Sequence, residues 1–132
     1  MKRGLVYIVA LAFVVGLVGS HVALAEEEPV IKILGTIALQ GAAANIAPPY
    51  DRAMQLAIAE INAAGIEGFS KIEYKVIDTE TDPGKFRQKL LREIQTWQPD
   101  VTGGCALETE IRIPCELAPQ YKLLSFVGWI GS

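Results

Sequence analysis

The residues best suited to chemistry are four acids in the second half of the sequence. Asp78, Glu80 and Asp82 follow one strand-like segment, and Glu108 follows the next. Paired carboxylates serve as general acid and base only when their geometry allows it, and helix capping and loop solvation explain these acids without catalysis. Nucleophilic triads need a histidine or an equivalent base, and the one histidine, His21, lies in a segment that we expect to be removed. The sequence therefore predicts no catalytic site.

Two cysteines are the other reactive side chains. Cys105 and Cys115 are predicted at a strand end and inside the following helix. They are ten residues apart on different elements, and a disulfide would need their Cα atoms within roughly 7 Å, which makes a pair awkward. We therefore favour two small buried thiols over a disulfide. Too few ligands remain for a metal site. The segment 35–41, GTIALQG, lacks the Lys-Ser/Thr of a P-loop and the third glycine of a dinucleotide fingerprint, so no cofactor is expected.

The first 25 residues have the features of a cleaved signal peptide. Lys2 and Arg3 precede an uncharged, almost wholly apolar run over residues 5–18, and a small-x-small pattern ends at Ala25, just before Glu26. The run is shorter than the ~20 residues of a membrane-spanning helix, although an uncleaved anchor is an alternative. We expect export to the periplasm or an equivalent compartment, cleavage between Ala25 and Glu26, and no stable membrane insertion afterwards.

Charge limits the partners of the mature chain. Removal of the signal lowers Lys and Arg from 12 to 10 against 15 Asp and Glu, so the formal charge moves from −3 to −5. A nucleic-acid partner would favour a basic face, so none is expected. The remaining 107 residues suffice for one small domain with a modest core.

The elements that must position these residues alternate between strand and helix. Strands are predicted over residues 30–39, 71–78, 101–105 and 121–128, and helices over residues 48–65, 83–97 and 108–118. Short connections in a β-α-β-α-β-α-β order predict an α/β fold with a doubly wound parallel sheet of four strands and three helices. Ligands of such sheets lie outside the carboxyl ends of the strands, where the strand order reverses.

Apolar spacing predicts which helical residues face the sheet. In the first helix they are Met54, Ala57, Ile58 and Ile61. In the second helix, capped by Asp82 with Pro83 in its first turn, they are Phe86, Leu90, Leu91, Ile94 and Trp97. In the third helix they are Ile111, Cys115 and Ala118. Pro114 is expected to limit how early the third helix begins its regular hydrogen bonding, and Pro119 to mark its end.

Several motifs in combination resemble one family of exported proteins. The first helix ends in the run E-I-N-A-A-G, and the second strand leads into a D-x-x-x-D-P step made by Asp78, Asp82 and Pro83. The glycine pair 103–104 and the serine-bearing strand LLSF extend the likeness over the whole mature chain. This combination resembles the substrate-binding proteins of ABC transporters of the branched-chain amino acid (Leu/Ile/Val) type.

The resemblance implies a two-lobed receptor that captures a small solute, an amino acid or a related compound, and delivers it to a membrane permease. The family needs two lobes, so residues 26–132 are expected to form an incomplete N-terminal lobe and the chain to be a truncated copy. An extracytoplasmic sensing module of a receptor or regulator is one alternative, and a small exported α/β enzyme is another. A transporter operon beside the gene would favour the first interpretation, and a downstream kinase or transmembrane domain the second.

The resemblance also implies a ligand site built from three loops. Its residues are Ala106, Leu107, Glu108 and Thr109 after the third strand, Gly128 and Trp129 after the fourth, and Asn45 with Tyr50 after the first. In the family, the turn after the third strand receives the carboxylate of the ligand. Glu108 places an acid at that position, and like charges lower affinity.

Overall fold

The computed structural model describes residues 28–129. The predicted signal peptide and its cleavage site at Ala25 and Glu26 therefore lie outside the described residues. Five positions within strands and helices are described by their backbone only. They are Cys105, Ala106, Thr109, Val127 and Trp129.

Four parallel strands form one sheet in the order β2-β1-β3-β4. Their bounds are Val30–Ile37 for β1, Lys71–Asp78 for β2, Val101–Ala106 for β3 and Leu124–Trp129 for β4. The central strand β1 pairs with β2 along its whole length, and with β3 from Ile33 to Gly35. The strand order reverses between β1 and β3, so the loops after these two strands flank the place where ligands bind such sheets.

Three helices cover the sheet from both sides. Their bounds are Pro48–Ala64 for α1, Pro83–Thr96 for α2 and Glu108–Tyr121 for α3. Successive residues of a strand face opposite sides, and those of β2 show the division: Tyr74 bonds to α1, whereas Lys75 bonds to α2. The predicted doubly wound α/β sheet with four strands and three helices is confirmed.

The main core lies between the sheet and the pair α2 and α3. Its buried members are Leu34, Ile77, Phe86, Leu90, Ile94, Ile113, Leu117 and Leu123. The predicted stripe of α2 is confirmed, with Leu91 and Trp97 packed at its margin. Glu93 is also buried here, and its Oε2 accepts a bond from the Lys75 Nζ at 2.5 Å, so the charge is paired as a buried carboxylate requires.

The opposite side of the sheet is far less covered. Of the predicted apolar face of α1, Ile58 is buried, whereas Ile61 is 44% exposed. On β4, the side chain of Phe126 is 64% exposed. The prediction of a buried α1 stripe is therefore wrong for most of its length, because no second helix packs beside α1 within the described residues.

The third helix differs most from its prediction. It begins at Glu108 and continues to Tyr121, so neither Pro114 nor Pro119 sets a boundary, and β4 begins three residues later than predicted. Each proline removes one helical hydrogen bond, and burial of Ile113 and Leu117 outweighs that loss.

The inward face of α3 is also rotated from the predicted one. It consists of Glu110, Ile113, Pro114 and Leu117. Ile111 is only half-buried and Cys115 is exposed, so the prediction of a buried thiol is wrong at Cys115. The polar Glu110 begins this stripe, and its charge hid the helical period from an apolar pattern search.

The C-terminal end of α1 has a structural role at the outer edge of β2. The Asn62 side chain accepts a bond from the Ile72 N–H at 2.7 Å and donates one to the Ile72 carbonyl at 2.9 Å. The amide group thus pairs with the strand edge as a neighbouring strand would. Gly65 then ends the helix with φ of 83°, a conformation that favours glycine.

We expect the variant Asn62→Ala to lower the free energy of unfolding by about 1–2 kcal/mol, since two hydrogen bonds are lost. Asn62→Asp keeps the acceptor for the Ile72 N–H but places a carboxylate oxygen against the Ile72 carbonyl, so it should also be less stable than the parent chain. Urea denaturation followed by circular dichroism measures both. Gln95→Ala, on the exposed face of α2, is the control. Equal stability of Asn62→Ala and the control would contradict the assigned role.

Candidate functional site

The Asp78 carboxylate fastens together two loops at the carboxyl edge of the sheet. Its Oδ1 accepts bonds from the N–H groups of Leu39 at 2.9 Å, Gln40 at 3.2 Å and Glu80 at 2.9 Å. Bonds to an ionised acceptor are about twice as strong as neutral ones. The β1–α1 loop and the β2–α2 turn are therefore held as one unit beside the point where the strand order reverses.

These two loops also pack too closely for a side chain at one position. Gly41 has φ of 87°, and a Cβ there would lie 2.5 Å from both the Glu80 carbonyl oxygen and the Thr81 Oγ1. The Thr81 hydroxyl donates to the Gln40 carbonyl at 3.2 Å. Only glycine satisfies both the backbone conformation and the contact.

The remaining acids of this edge have structural partners. Glu80 pairs with Lys85 at 2.7 Å and with Lys89, and these hydrogen bonds lower the pKa of Glu80 to about 2. Asp82 Oδ1 accepts from the N–H groups of Gly84 at 2.9 Å and Lys85 at 3.0 Å, which confirms the predicted cap of α2. Helix capping and ion pairing therefore account for acids that sequence reasoning weighed for catalysis.

An apolar groove of about 580 Å³ lies between α1 and the exposed face of the sheet. Its walls include Tyr50, Met54 and Ala57 of α1, Tyr74 of β2, and Phe126 and Gly128 of β4. Gly103 and Gly104 of β3 also line it, so the bare backbone of a central strand forms part of the groove. A groove of this size and lining is typical of small-molecule sites.

Tyr74 fixes one wall of this groove. Its hydroxyl donates to the Asp51 Oδ1 at 2.9 Å, and a Cβ at Gly35 would lie 2.3 Å from that hydroxyl, so Gly35 leaves the space that the ring occupies. Burial raises the pKa of Tyr74, and the hydrogen bond to Asp51 and the negative charge of Asp51 raise it further. Tyr74 therefore remains a neutral donor across the physiological pH range.

Comparison with protein families decides the affiliation of the chain. Residues 30–105, more than half of the 132 residues, match the family described as periplasmic binding protein. The chain belongs to the periplasmic binding protein family. The predicted resemblance is therefore confirmed. No curated protein sequence matches the chain.

Solved structures of this class have the same fold. The branched-chain amino acid transporter substrate-binding protein LivJ from Streptococcus pneumoniae, in complex with isoleucine, matches with a TM-score of 0.69 and 21% identity, over 78% of this chain and 30% of LivJ. An amino acid ABC transporter substrate-binding protein from Pseudomonas fluorescens matches with a TM-score of 0.68 and 21% identity, over 80% and 27%. An ABC transporter solute-binding protein from Rhodopseudomonas palustris, in complex with 3,4-dihydroxybenzoic acid, gives 0.66 and 20%, over 74% and 26%. The chain thus spans less than a third of the length of each.

The structure brings only some of the predicted ligand residues together. Tyr50 and Gly128 line the same apolar groove. Asn45 is exposed in the β1–α1 loop, and Glu108 is exposed at the start of α3. Leu107 is half-buried and packs against the small cluster formed by Ile37, Ala38, Ala43 and Ala47. The backbone of Ala106 ends β3, that of Thr109 lies in the first turn of α3, and that of Trp129 ends β4.

Sequence reasoning missed two residues at this edge of a periplasmic binding protein lobe. Phe126 forms a wall of the groove. The available signal was its spacing of two residues from Leu124, which places both apolar side chains on one face of an edge strand. Glu110 is fully buried beneath the β3–α3 turn. A Glu at the third helical position is half of a capping box, but the expected Ser or Thr is replaced by Leu107.

The described residues hold neither a metal-binding cluster nor a membrane-spanning helix. No group of three or more His, Cys, Asp or Glu residues in residues 28–129 is arranged to hold a metal ion. Within the same part of the chain, no helix has the length and apolar character needed to cross a membrane.

The ion pairs of Glu80 predict a specific acid sensitivity. The folded pKa of about 2 is below the ordinary value of 4.5, so the stabilisation is present above about pH 4.5 and is lost as the pH falls towards 2. We expect thermal denaturation of Glu80→Gln to show a smaller loss of stability over this pH range than the parent chain. Glu67→Gln, an exposed acid in the α1–β2 turn, is the control. Parallel acid profiles for the parent and Glu80→Gln would refute the assignment.

Proposed function

We propose that the chain belongs to the solute-binding component of an ABC importer, which captures a small solute and delivers it to a membrane permease. The observation that carries this proposal is the family match over residues 30–105. It is joined by the likeness in fold to substrate-binding proteins of three bacteria. Binding and release, without chemical conversion of the solute, are the functions proposed.

The apolar groove supports a solute with an aliphatic or aromatic part. Tyr50, Phe126 and Met54 supply apolar area, and the bare backbone at Gly103 and Gly104 allows close approach. Two of the structural neighbours were solved with isoleucine and with 3,4-dihydroxybenzoic acid, solutes that combine such a part with a carboxylate. We propose that the α3 N-terminal turn faces the carboxylate, because helix N-termini favour anions.

We further propose that residues 26–132 correspond to the first part of an N-terminal lobe. The structural neighbours are more than three times as long as the segments that this chain covers, which supports the proposal. A two-lobed receptor closes around its solute, so one lobe alone is expected to bind weakly, with a Kd of about 1 mM or higher.

A nuclear magnetic resonance titration tests solute binding directly. We expect L-isoleucine or 3,4-dihydroxybenzoate to shift the backbone amides of Tyr50, Gly103 and Gly128 at millimolar concentrations. Tyr50→Ala should weaken this binding by roughly three- to tenfold, the value of one aromatic contact. Tyr121→Ala, an exposed tyrosine at the end of α3, should leave it unchanged. If neither solute shifts these amides at concentrations up to about 10 mM, roughly ten times a Kd of about 1 mM, the proposal is refuted.

Export is proposed through cleavage between Ala25 and Glu26. Mass spectrometry of the chain from the periplasm of a Gram-negative host should give a product that begins at Glu26. Ala25→Phe should block processing because the position before the cut accepts only small residues, whereas Leu24→Phe, at the tolerant middle position, should be processed normally. Processing of Ala25→Phe at Glu26 would contradict the assigned cleavage site.

A further inference from the structure

Glu110 is an ionisable residue in a buried environment that disfavours its charged form. Its side chain is 0% exposed, and it lies in the first turn of α3 directly beneath the turn proposed to receive a solute carboxylate. Its Oε2 accepts the Leu107 N–H at 3.3 Å, which ties the side chain to that turn. Burying an ionised carboxylate without full compensation is costly, so the neutral form fits this position better.

Two orphan atoms give a geometric reason for the neutral form. Among the described residues, Glu110 Oε1 and Asp78 Oδ2 are buried side-chain oxygens with no hydrogen-bond partner. Two ionised carboxylates would present acceptors only, whereas a protonated Glu110 supplies one O–H donor. A buried carboxyl group with an oxygen that accepts no hydrogen bond is less costly in its neutral form, because ionisation would leave negative charge uncompensated at that oxygen.

The charges around Glu110 favour the same form. Burial raises the pKa of Glu110 above its ordinary value of 4.5, and the negative charges of Asp78 and Asp82 raise it further. The Leu107 N–H on Oε2 and the nearby Thr79 side chain act in the opposite direction on this pKa and are outweighed.

The nearby cations already have partners. The Lys89 Nζ on α2 binds the Asp78 carbonyl and Glu80, and Lys85 binds Glu80. On α3 itself, the neighbouring acid Glu108 is exposed to solvent. Asp78 and Asp82 are thus the charges that act on Glu110 from the elements packed against it.

We propose that Glu110 is a positioning residue that holds the β3–α3 turn in its neutral, protonated form, and that its ionisation weakens the binding of carboxylate-bearing solutes at that turn. The protonated side chain keeps the Leu107 N–H in place and adds no charge beneath the anion. The ionised side chain opposes the solute carboxylate and repels Asp78, which fastens the neighbouring loops. The consequence for solute binding rests on the proposed function, whereas the protonation of Glu110 does not.

The first experiment needs no solute. The Leu107 amide resonance of the full chain, followed from about pH 4 to about pH 9, should titrate with a midpoint above the ordinary range for Glu. Glu110→Gln, which keeps the shape and an acceptor oxygen, should abolish this titration, and Glu116→Gln, an exposed acid on the same helix, should not. A midpoint above the ordinary range that persists at Leu107 in Glu110→Gln, or titration only within the ordinary range in the parent chain, overturns the inference.

The pH dependence of the stability provides a second test, because the inference fixes the direction in which stability changes. Because the folded pKa of Glu110 is raised, its stabilisation is complete below its unfolded pKa and is lost as the pH rises through the folded pKa. The parent chain should therefore lose stability relative to Glu110→Gln as the pH rises from the unfolded to the folded pKa of Glu110, with Glu116→Gln following the parent. A constant difference between the parent and Glu110→Gln over that range overturns the inference.

Solute binding completes the test. L-isoleucine affinity of the parent chain should fall about tenfold as Glu110 ionises, the effect of one unit charge several ångströms away in a partly screened site, and Glu110→Gln should show no such fall. Binding of L-isoleucine that is independent of pH in the parent overturns the inference alone. Failure of both L-isoleucine and 3,4-dihydroxybenzoate to bind at any pH overturns the proposed function, and the Leu107 titration then decides the protonation of Glu110 separately.

Discussion

The three hydrogen bonds to the Asp78 carboxylate determine how the carboxyl edge of this lobe is arranged. They join loops that are distant in sequence, and the close contact at Gly41 follows from that junction. Asp78 also brings a negative charge towards the buried Glu110, so the same junction sets the electrostatic environment of the β3–α3 turn. One side chain thereby joins the β1–α1 loop to the turn after β2 and acts through its charge on the start of α3.

The two sides of the sheet differ in how completely they are packed. On the side of α2 and α3, a contiguous cluster of large apolar residues excludes water. On the side of α1, Gly103 and Gly104 leave the backbone of β3 bare, and Tyr74 and Phe126 stand on either side of it. The packed side supplies most of the apolar burial that stabilises the fold. The open side combines an apolar groove with two of the predicted ligand positions, Tyr50 and Gly128.

Much of the fold could be predicted because its signals are local. The Asp82-Pro83 pair and the period of Phe86, Leu90 and Ile94 belong to one segment, and α2 forms as they indicate. The third helix could not be predicted as well, because its inward stripe begins with Glu110. Apolar spacing does not count a glutamate among the inward residues. Its prolines suggested boundaries that packing overrides.

The site was less predictable than the fold for a related reason. The family resemblance predicts three loops for the site, but which side chains meet depends on contacts between distant segments. Tyr50 and Gly128 line one groove because α1 packs on the face of the sheet where Gly128 of β4 is exposed. The exposure of α1 was likewise invisible in its amphipathic pattern, since that pattern gives the face of a helix and not the extent of the surface it covers.

The pairing of Asn62 with Ile72 makes the two edges of the sheet unequal. A side-chain amide occupies both polar backbone groups of Ile72 on the outer edge of β2, so an incoming strand finds that position already filled. On the outer edge of β4, the described residues place no comparable side chain, and Leu124 and Phe126 stand exposed beside it. Extension of this sheet, by the same polypeptide or by another, is therefore directional: it is disfavoured at β2 and open at β4.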